Sequence, residues 1–480
     1  MKKLSTLLLI FSLLALPASL WSEEEDSYGW GFTPLPLPSY DDDIGFTYGL
    51  RVTATKTHKD YKPFSVQIWA QYLASTKGYE DHAVYADVLD VFGTGLRVKG
   101  KLAYARTLLA QYYGYGNEHD IRRQQKIQEG KVAINENIPS QKTIITGEDL
   151  QGTDAFGWLS DKWADELNLN ENFLRDPVGN IANLSAVNPG RRILRERQNR
   201  FFAYDRTRPY VQLSTENFIG NSDFKWFLGF RGQRYKVQSY YDRREGGEAE
   251  ANSKTLVDIE QPYGYDAISE GDPRFVNAVR VALAYDSRPR ARELNPNSGI
   301  FTDLHYEGVG KATGSHYQFH RATATWRQYI EILPSVFNKM GDEFVFAYRL
   351  QAQETFGDVP FFEKGRIYTM NEESEGLGGS GGLRGYPSNQ FVDKVMTMAN
   401  IEGRYTFAKT GFLGGMDFQL MGFYDIGRVA ADWSEWQPKG MHKAYGPGIG
   451  MIWQKNTIVT IFRGTSPYES FTAFKLSHMF

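Results

Sequence analysis

The chain has 480 residues, a net charge of -3 and no cysteine. Near-neutral charge gives no electrostatic case for nucleic acid, and the missing thiols exclude disulfide staples, a lipoprotein acceptor and cysteine catalysis. The unusual quantities are aromatics, 15% of residues, and glycine, at 47. Lys2 and Lys3, the apolar stretch from Leu4 to Leu16 and the small residues Ala18, Ser19 and Ser22 read as a secretory signal peptide over 1–22. Residues 23–44 follow as an acidic, proline-rich segment. Glu23-Glu24-Glu25-Asp26 suits a translocated mature end, and Pro34, Pro36 and Pro38 make a stiff spacer into the first strand. Only about twenty residues then separate the leader from that strand.

From residue 45 to 480 the pattern is period two. Phe46 to Ala74 gives two such runs, with Phe64, Val66, Ile68, Ala70 and Tyr72 on one parity of the second. Similar runs recur near 96–107, 209–218, 224–240, 275–286, 299–307, 317–331 and 343–354. They continue near 395–407, 416–428, 447–454, 457–463 and 471–480. Such alternation suits a soluble sandwich as well as an outer-membrane barrel, and a hydropathy window does not separate them. No later apolar run approaches the ~18 residues of a transmembrane helix. The alternating runs number fourteen or more; an even count is expected of a bacterial barrel, and sixteen strands are expected. Residues 117–199 break the rhythm as a long insert. Within it, Phe156, Leu159, Trp163 and Leu167 fall at helical spacing behind a Thr153 cap.

The chemistry-bearing stretch is GLGGSGGLRGYPSNQF, residues 376–391, where Arg384 stands among six glycines ahead of Tyr386. Downstream, Asn400, Glu402, Arg404 and Thr406 share one parity, and Asp425 shares a face with Gln419. A carboxylate facing hydrocarbon costs several kcal/mol, so Glu402 and Asp425 are expected to point inward from adjacent strands. Arg384 can bond both through its planar fork, and the glycines let the loop fold back to deliver it.

These residues carry a resemblance. Leu383-Arg384-Gly385-Tyr386 is similar to the [VIL]RG[FY] signature on the sixth surface loop of the BamA/TamA family, the bacterial surface-antigen superfamily. Phe423-Tyr424-Asp425-Ile426-Gly427 resembles its F-x-D-x-G on strand thirteen, and Glu402 stands where its strand-twelve glutamate stands. Tyr285-Asp286-Ser287-Arg288 with Asn295-Pro296 and Gly299 resembles its DxR…NPxxG hairpin. Phe474, Leu476 and Phe480, at even spacing, resemble its C-terminal barrel-assembly signal.

The resemblance implies an all-β fold: a single 16-stranded antiparallel transmembrane β-barrel in the bacterial outer membrane, with an inward-folded glycine-rich loop. It implies a loop–barrel lock of Arg384, Gly385, Tyr386, Glu402, Asp425 and Gly427. Whether that lock is static or a movable latch stays open. Family members carry periplasmic POTRA domains of ~75 residues ahead of the barrel, so this chain resembles a POTRA-less subgroup. The expected function is assistance in inserting or translocating a protein or lipid, as a monomer in outer-membrane lipid with a separate periplasmic or outer-membrane protein partner. The alternative is a passive channel or a surface-exposed structural protein. No catalysis, metal, cofactor or nucleic-acid partner is expected. The glycine loop lacks the Lys-Ser/Thr ending of a P-loop, and HExxH and GxSxG are absent. His316 and His320 would stand ~13 Å apart on a strand, too far for one zinc.

Overall fold

The computed structural model describes residues 29–117, 203–239 and 256–480, apart from 42–43, 60, 371, 411–414, 454–456, 468–469 and 476. The signal peptide and the 117–199 insert with its helix therefore lie outside the described residues, save Asn117. Seventeen strands form one antiparallel sheet, and a further pair forms a small hairpin. In chain order the sheet begins with β1 (Trp30–Pro36), β2 (Ser39–Asp41), β3 (Gly45–His58), β4 (Tyr61–Ser75), β5 (Tyr79–Val88) and β6 (Arg97–Gln111). After the insert come β7 (Ala203–Phe218), β8 (Phe224–Ser239), β9 (Arg274–Asp286), β10 (Gly299–Val309), β11 (Phe319–Glu331) and β12 (Glu343–Gly357). The small hairpin is β13 (Arg366–Tyr368) with β14 (Glu373–Glu375). The sheet resumes with β15 (Val395–Thr410), β16 (Met416–Ala430), β17 (His442–Trp453), β18 (Thr457–Thr465) and β19 (Ser470–Lys475). From β3 to β12, each strand pairs with the next in the chain; β12 then pairs with β15 across residues 358–394.

The two faces of this sheet invert the usual distribution of polarity. The largest fully buried side chains include Arg231, Arg321, Arg349, Arg384 and Arg404. On the other parity Leu304 is 62% exposed, Leu283 61% and Ile449 60%. A soluble sandwich buries its apolar face. Here charge is buried and hydrocarbon is displayed, the arrangement that a lipid surround stabilises. The sandwich reading left open by the alternation is thereby excluded. The inner charges are paired across strands: Arg97 with Asp87 at 2.7 Å, Lys99 with Glu216 at 2.8 Å, and Lys225 with Asp286 at 2.7 Å.

Three strands differ from expectation. The proline-rich spacer contains β1 and β2. All of β1 registers with β3, from Trp30 opposite Lys56 to Pro36 opposite Leu50. The Leu37 N–H donates to the Gly49 carbonyl at 2.9 Å, so odd-numbered backbone groups face β3. Pro34, Pro36 and Pro38 occupy the other parity, where the missing N–H removes no bond to β3. β5 was not among the expected strands. Its His82 stacks on outward-facing Tyr72 with centroids 4.6 Å apart, while Tyr85 and Ala83 face inward, so alternation is blurred.

The ends of the sheet overlap. Leu35 lies opposite Arg51 on the ion-paired inner face. Yet Leu35 and Leu37 pack against Met416, Phe418, Met451 and Trp453, which share the outer parity with exposed Leu420 and Ile449. Inner-face side chains of the first strands thus cover the outer face of the last. Beyond β19 the chain turns inward. Met479 and Phe480 are buried among Tyr329, Val345 and Ala347 of β11 and β12.

Candidate functional site

Residues 358–394 leave the wall after Gly357, which takes φ +83°. They run inward through a one-turn helix (Phe361–Lys364), the β13–β14 hairpin and the glycine loop, and rejoin the wall at β15. At the tip, Arg384 is fully buried and gripped by two strands. Its backbone N–H donates to Asp425 Oδ2 at 3.0 Å, Nε donates to the same oxygen at 2.8 Å, and Nη2 donates to Oδ1 at 2.8 Å. Its Nη1 donates to Glu402. The guanidinium also lies over the Phe423 ring, 3.7 Å from its centroid. β15 and β16 are neighbours with Asn400 opposite Asp425 and Glu402 opposite Phe423, which brings both acids to one face. A planar fork meeting two carboxylates, one of them bidentate, satisfies donors and acceptors that would otherwise be buried unpaired.

The surrounding residues complete this geometry. Asn400 Nδ2 donates to Asp425 Oδ1 at 2.8 Å and to the Gly382 carbonyl at 2.9 Å. Tyr386 is buried, donates its hydroxyl to the Lys443 carbonyl at 3.3 Å, and meets the Phe391 ring edge-on at 5.2 Å. Gly385 presses on the wall: a Cβ there would stand 2.8 Å from Ala444 Cβ and 3.0 Å from the Thr465 carbonyl carbon. At Gly427 a Cβ would stand 2.9 Å from the Thr397 carbonyl oxygen. All six expected lock residues therefore meet at the β15–β18 wall.

Sequence reasoning missed three elements. Arg404 is a second partner of Glu402, with Nε 2.7 Å from Oε2, and its Nη2 donates to the Phe480 carbonyl at 3.1 Å. Arg404 was on the polar parity, so its position was readable, but its partner was not. Gly464 on β18 was not singled out, although the Arg384 carbonyl rests against its Cα. The third is a separate anchor at the loop's start. Glu363 Oε1 accepts from Tyr235 at 2.6 Å and from Arg231 at 3.1 Å, while Oε2 accepts from Arg321 at 3.3 Å. Arg231 and Arg321 also share Glu307, at 2.6 and 2.5 Å. Glu373 and Glu375 of the hairpin each reach β7, pairing with Arg208 and Arg206 at 2.6 Å. The loop is thus tied from β7 and β8 on one side to β16 on the other. Glu363→Ala should leave Arg231 and Arg321 with Glu307 as their remaining acid, a loss of about 3–5 kcal/mol for breaking a buried pair. Thermal unfolding in detergent measures it, and an unchanged midpoint would contradict this anchor.

The other motif residues are also placed. Asp286 accepts from Arg288 Nε at 2.9 Å within the β9–β10 turn, and Gly299 takes φ +93° where a Cβ would meet the Ser287 carbonyl oxygen at 2.7 Å. Phe474 of β19 lies opposite Ile461 on the outer parity, Leu476 is outside the described residues, and Phe480 lies inside. Phe474 and Phe480 thus do not lie along one strand face. The physical reason is that the chain leaves the wall after Lys475: Ser477 to Phe480 are drawn inward by His478 bonding to Asn295 at 2.8 Å and by Arg404. His316 bonds the Phe275 N–H and His320 bonds Tyr306. Among the described residues no group of three potential metal ligands occurs.

An antiparallel sheet with a charged inner face and a loop pinned inside it defines a class: membrane-embedded β proteins with an internal plug. The Omp85 superfamily domain matches residues 166–459, well over half of the sequence, and the chain belongs to that superfamily. Membership places it among bacterial outer-membrane proteins of the insertion and translocation class. Among solved structures it is similar to BamA from Haemophilus ducreyi lacking POTRA domains 1-3, at 11% identity and TM-score 0.46, covering 93% of this chain and 69% of that one. It is also similar to CdiB from Acinetobacter baumannii, at 10% identity and TM-score 0.43, with 93% and 65% covered. CdiB from Escherichia coli gives 8% identity and TM-score 0.48, with 94% and 63% covered. The chain therefore spans about two thirds of the length of these structures. Comparison with curated proteins gives no match.

Proposed function

We propose that this chain is a closed sixteen-stave outer-membrane barrel that assists the insertion or translocation of a protein or lipid, acting as a transporter and not as an enzyme. Counting β1 and β2 as one stave, since both pair with β3, supports sixteen, and the contact of β19 with β2 supports closure. It is exported by the 1–22 leader, works as a monomer, and relies on a separate periplasmic or outer-membrane protein partner to deliver its client. Arg384, Gly385, Tyr386, Glu402, Asp425 and Gly427 lock the loop to the wall, and Phe474, Leu476 and Phe480 serve barrel assembly.

The observation that carries this reading is the loop of residues 358–394, tied by buried ion pairs at both Glu363 and Arg384. A passive channel gains nothing from filling its bore with a doubly anchored segment. Planar-bilayer recording with the purified protein should give small, unstable conductance. Depletion in cells should alter the inventory of outer-membrane proteins or lipids. A large, steady ohmic conductance together with an unchanged inventory would overturn the proposal in favour of a channel.

A further inference from the structure

The overlap of the sheet ends has a specific chemistry. Backbone N–H and C=O groups of one residue point to the same side of a strand in an antiparallel pair. Because Leu37 donates to Gly49, the even-numbered groups of the first stave point away from β3. Three of those positions, Pro34, Pro36 and Pro38, have no N–H to give. An incoming strand needs alternating donors and acceptors along the edge it joins, and proline on an edge blocks such pairing. The far edge of this stave offers donors only at Trp30 and Phe32 over residues 30–38.

Along residues 30–38, beyond the stretch where β2 lies beside β19, the contact that covers the seam is made by side-chain faces. Leu35 and Leu37 sit on Met416 and Trp453. These last two belong to the outer parity, continuous with Leu420, Ile449 and Ile461, which are about half exposed or more. On that surface the neighbours of an embedded barrel are acyl chains. Leu35 and Leu37 thus occupy a place whose chemistry an acyl chain reproduces, so exchange of one for the other breaks no ladder hydrogen bond in this contact.

We propose that the seam between the first and last staves admits the acyl chains of a lipid and does not accept a polypeptide strand. This rests on the outer-membrane insertion or translocation reading above and names its substrate class as lipid.

The test uses the full-length protein in phosphatidylethanolamine vesicles doped with a phospholipid bearing a photoactivatable diazirine on its acyl chain. Adducts are mapped by peptide mass spectrometry. Leu37 is only 1% exposed, so labelling there reports entry of lipid into the seam; Tyr368, at 0%, gives the background inside and Leu304 the fully lipid-facing level. A several-fold excess of adduct at Leu37 over Tyr368 is expected. In a second arm, a photoactivatable peptide with the sequence of residues 470–480 replaces the lipid. It should label residues 30–38 weakly in the natural sequence and several-fold more strongly in the Pro34→Ser/Pro36→Ser/Pro38→Ser variant, whose edge regains its donors. Leu37 labelling at the Tyr368 level, or equal peptide labelling with and without the prolines, would overturn the inference. Neither result depends on the depletion phenotype or the conductance, so the insertion reading stands or falls separately.

Discussion

Arg384→Ala is expected to cost about 3–5 kcal/mol of stability, the range for removing one partner of a buried ion pair. The reason lies with the residues left behind. Asp425 loses the two hydrogen bonds donated by the guanidinium and Glu402 loses one, and both carboxylates remain buried. The loss of the guanidinium also removes its stacking on Phe423. Arg384→Lys should recover little, because a single ammonium cannot hold both oxygens of Asp425 and one of Glu402 in the same plane. The double variant Arg384→Met/Asp425→Asn should recover more, since Glu402 keeps Arg404 as its partner and no uncompensated carboxylate is left. Heat-modified mobility on gels and protease cleavage within 376–391 are the measurements. Unchanged mobility and unchanged protease resistance in Arg384→Ala would contradict the lock.

Gly464→Ala should unseat the same loop without removing any charged group. A Cβ at position 464 would stand 1.1 Å from the Arg384 carbonyl oxygen and 2.1 Å from its carbonyl carbon. No rotamer relieves a clash between a Cβ and a backbone, so either β18 or the loop tip must move. β18 is held by pairing with both β17 and β19, so the tip is expected to give way. The absence of cysteine makes the readout simple: Ser380→Cys introduces a single thiol into the glycine loop. Its modification by a water-soluble maleimide should accelerate several-fold when Gly464→Ala is added. Gly422→Ala is the control, because a Cβ there meets nothing within 4 Å. Equal rates in the three proteins would show that the tip tolerates the clash.

Much of this architecture was legible from period two because the inner parity is rich in long charged and amide side chains. From β9 onward Arg280, Glu307, Arg321, Arg349 and Glu402 contrast sharply with Leu283, Leu304, Leu350 and Ile401. β5 was hidden because its inner face carries Tyr85 and Ala83 while His82 faces outward. β1 was hidden because proline, which usually argues against a strand, here falls only where β3 asks for no donor. Arg384 with Glu402 and Asp425 was legible because two inward acids on successive strands require a cation. The Glu363 anchor was not, because it depends on β8, β10 and β11 converging on one short helix, and no local pattern encodes that convergence. Gly464 looked like any strand glycine, since the need for it comes from a backbone 80 residues earlier in the chain.

The division of the Glu402 carboxylate has a thermodynamic consequence. One oxygen serves Arg384 of the loop, and the other serves Arg404, which holds Phe480. Withdrawing either arginine changes how well the remaining one is neutralised. Displacement of the final residues from the interior and release of the loop tip are therefore linked equilibria. Whatever free energy the first adds to the second, the second adds to the first, with the same sign and the same size.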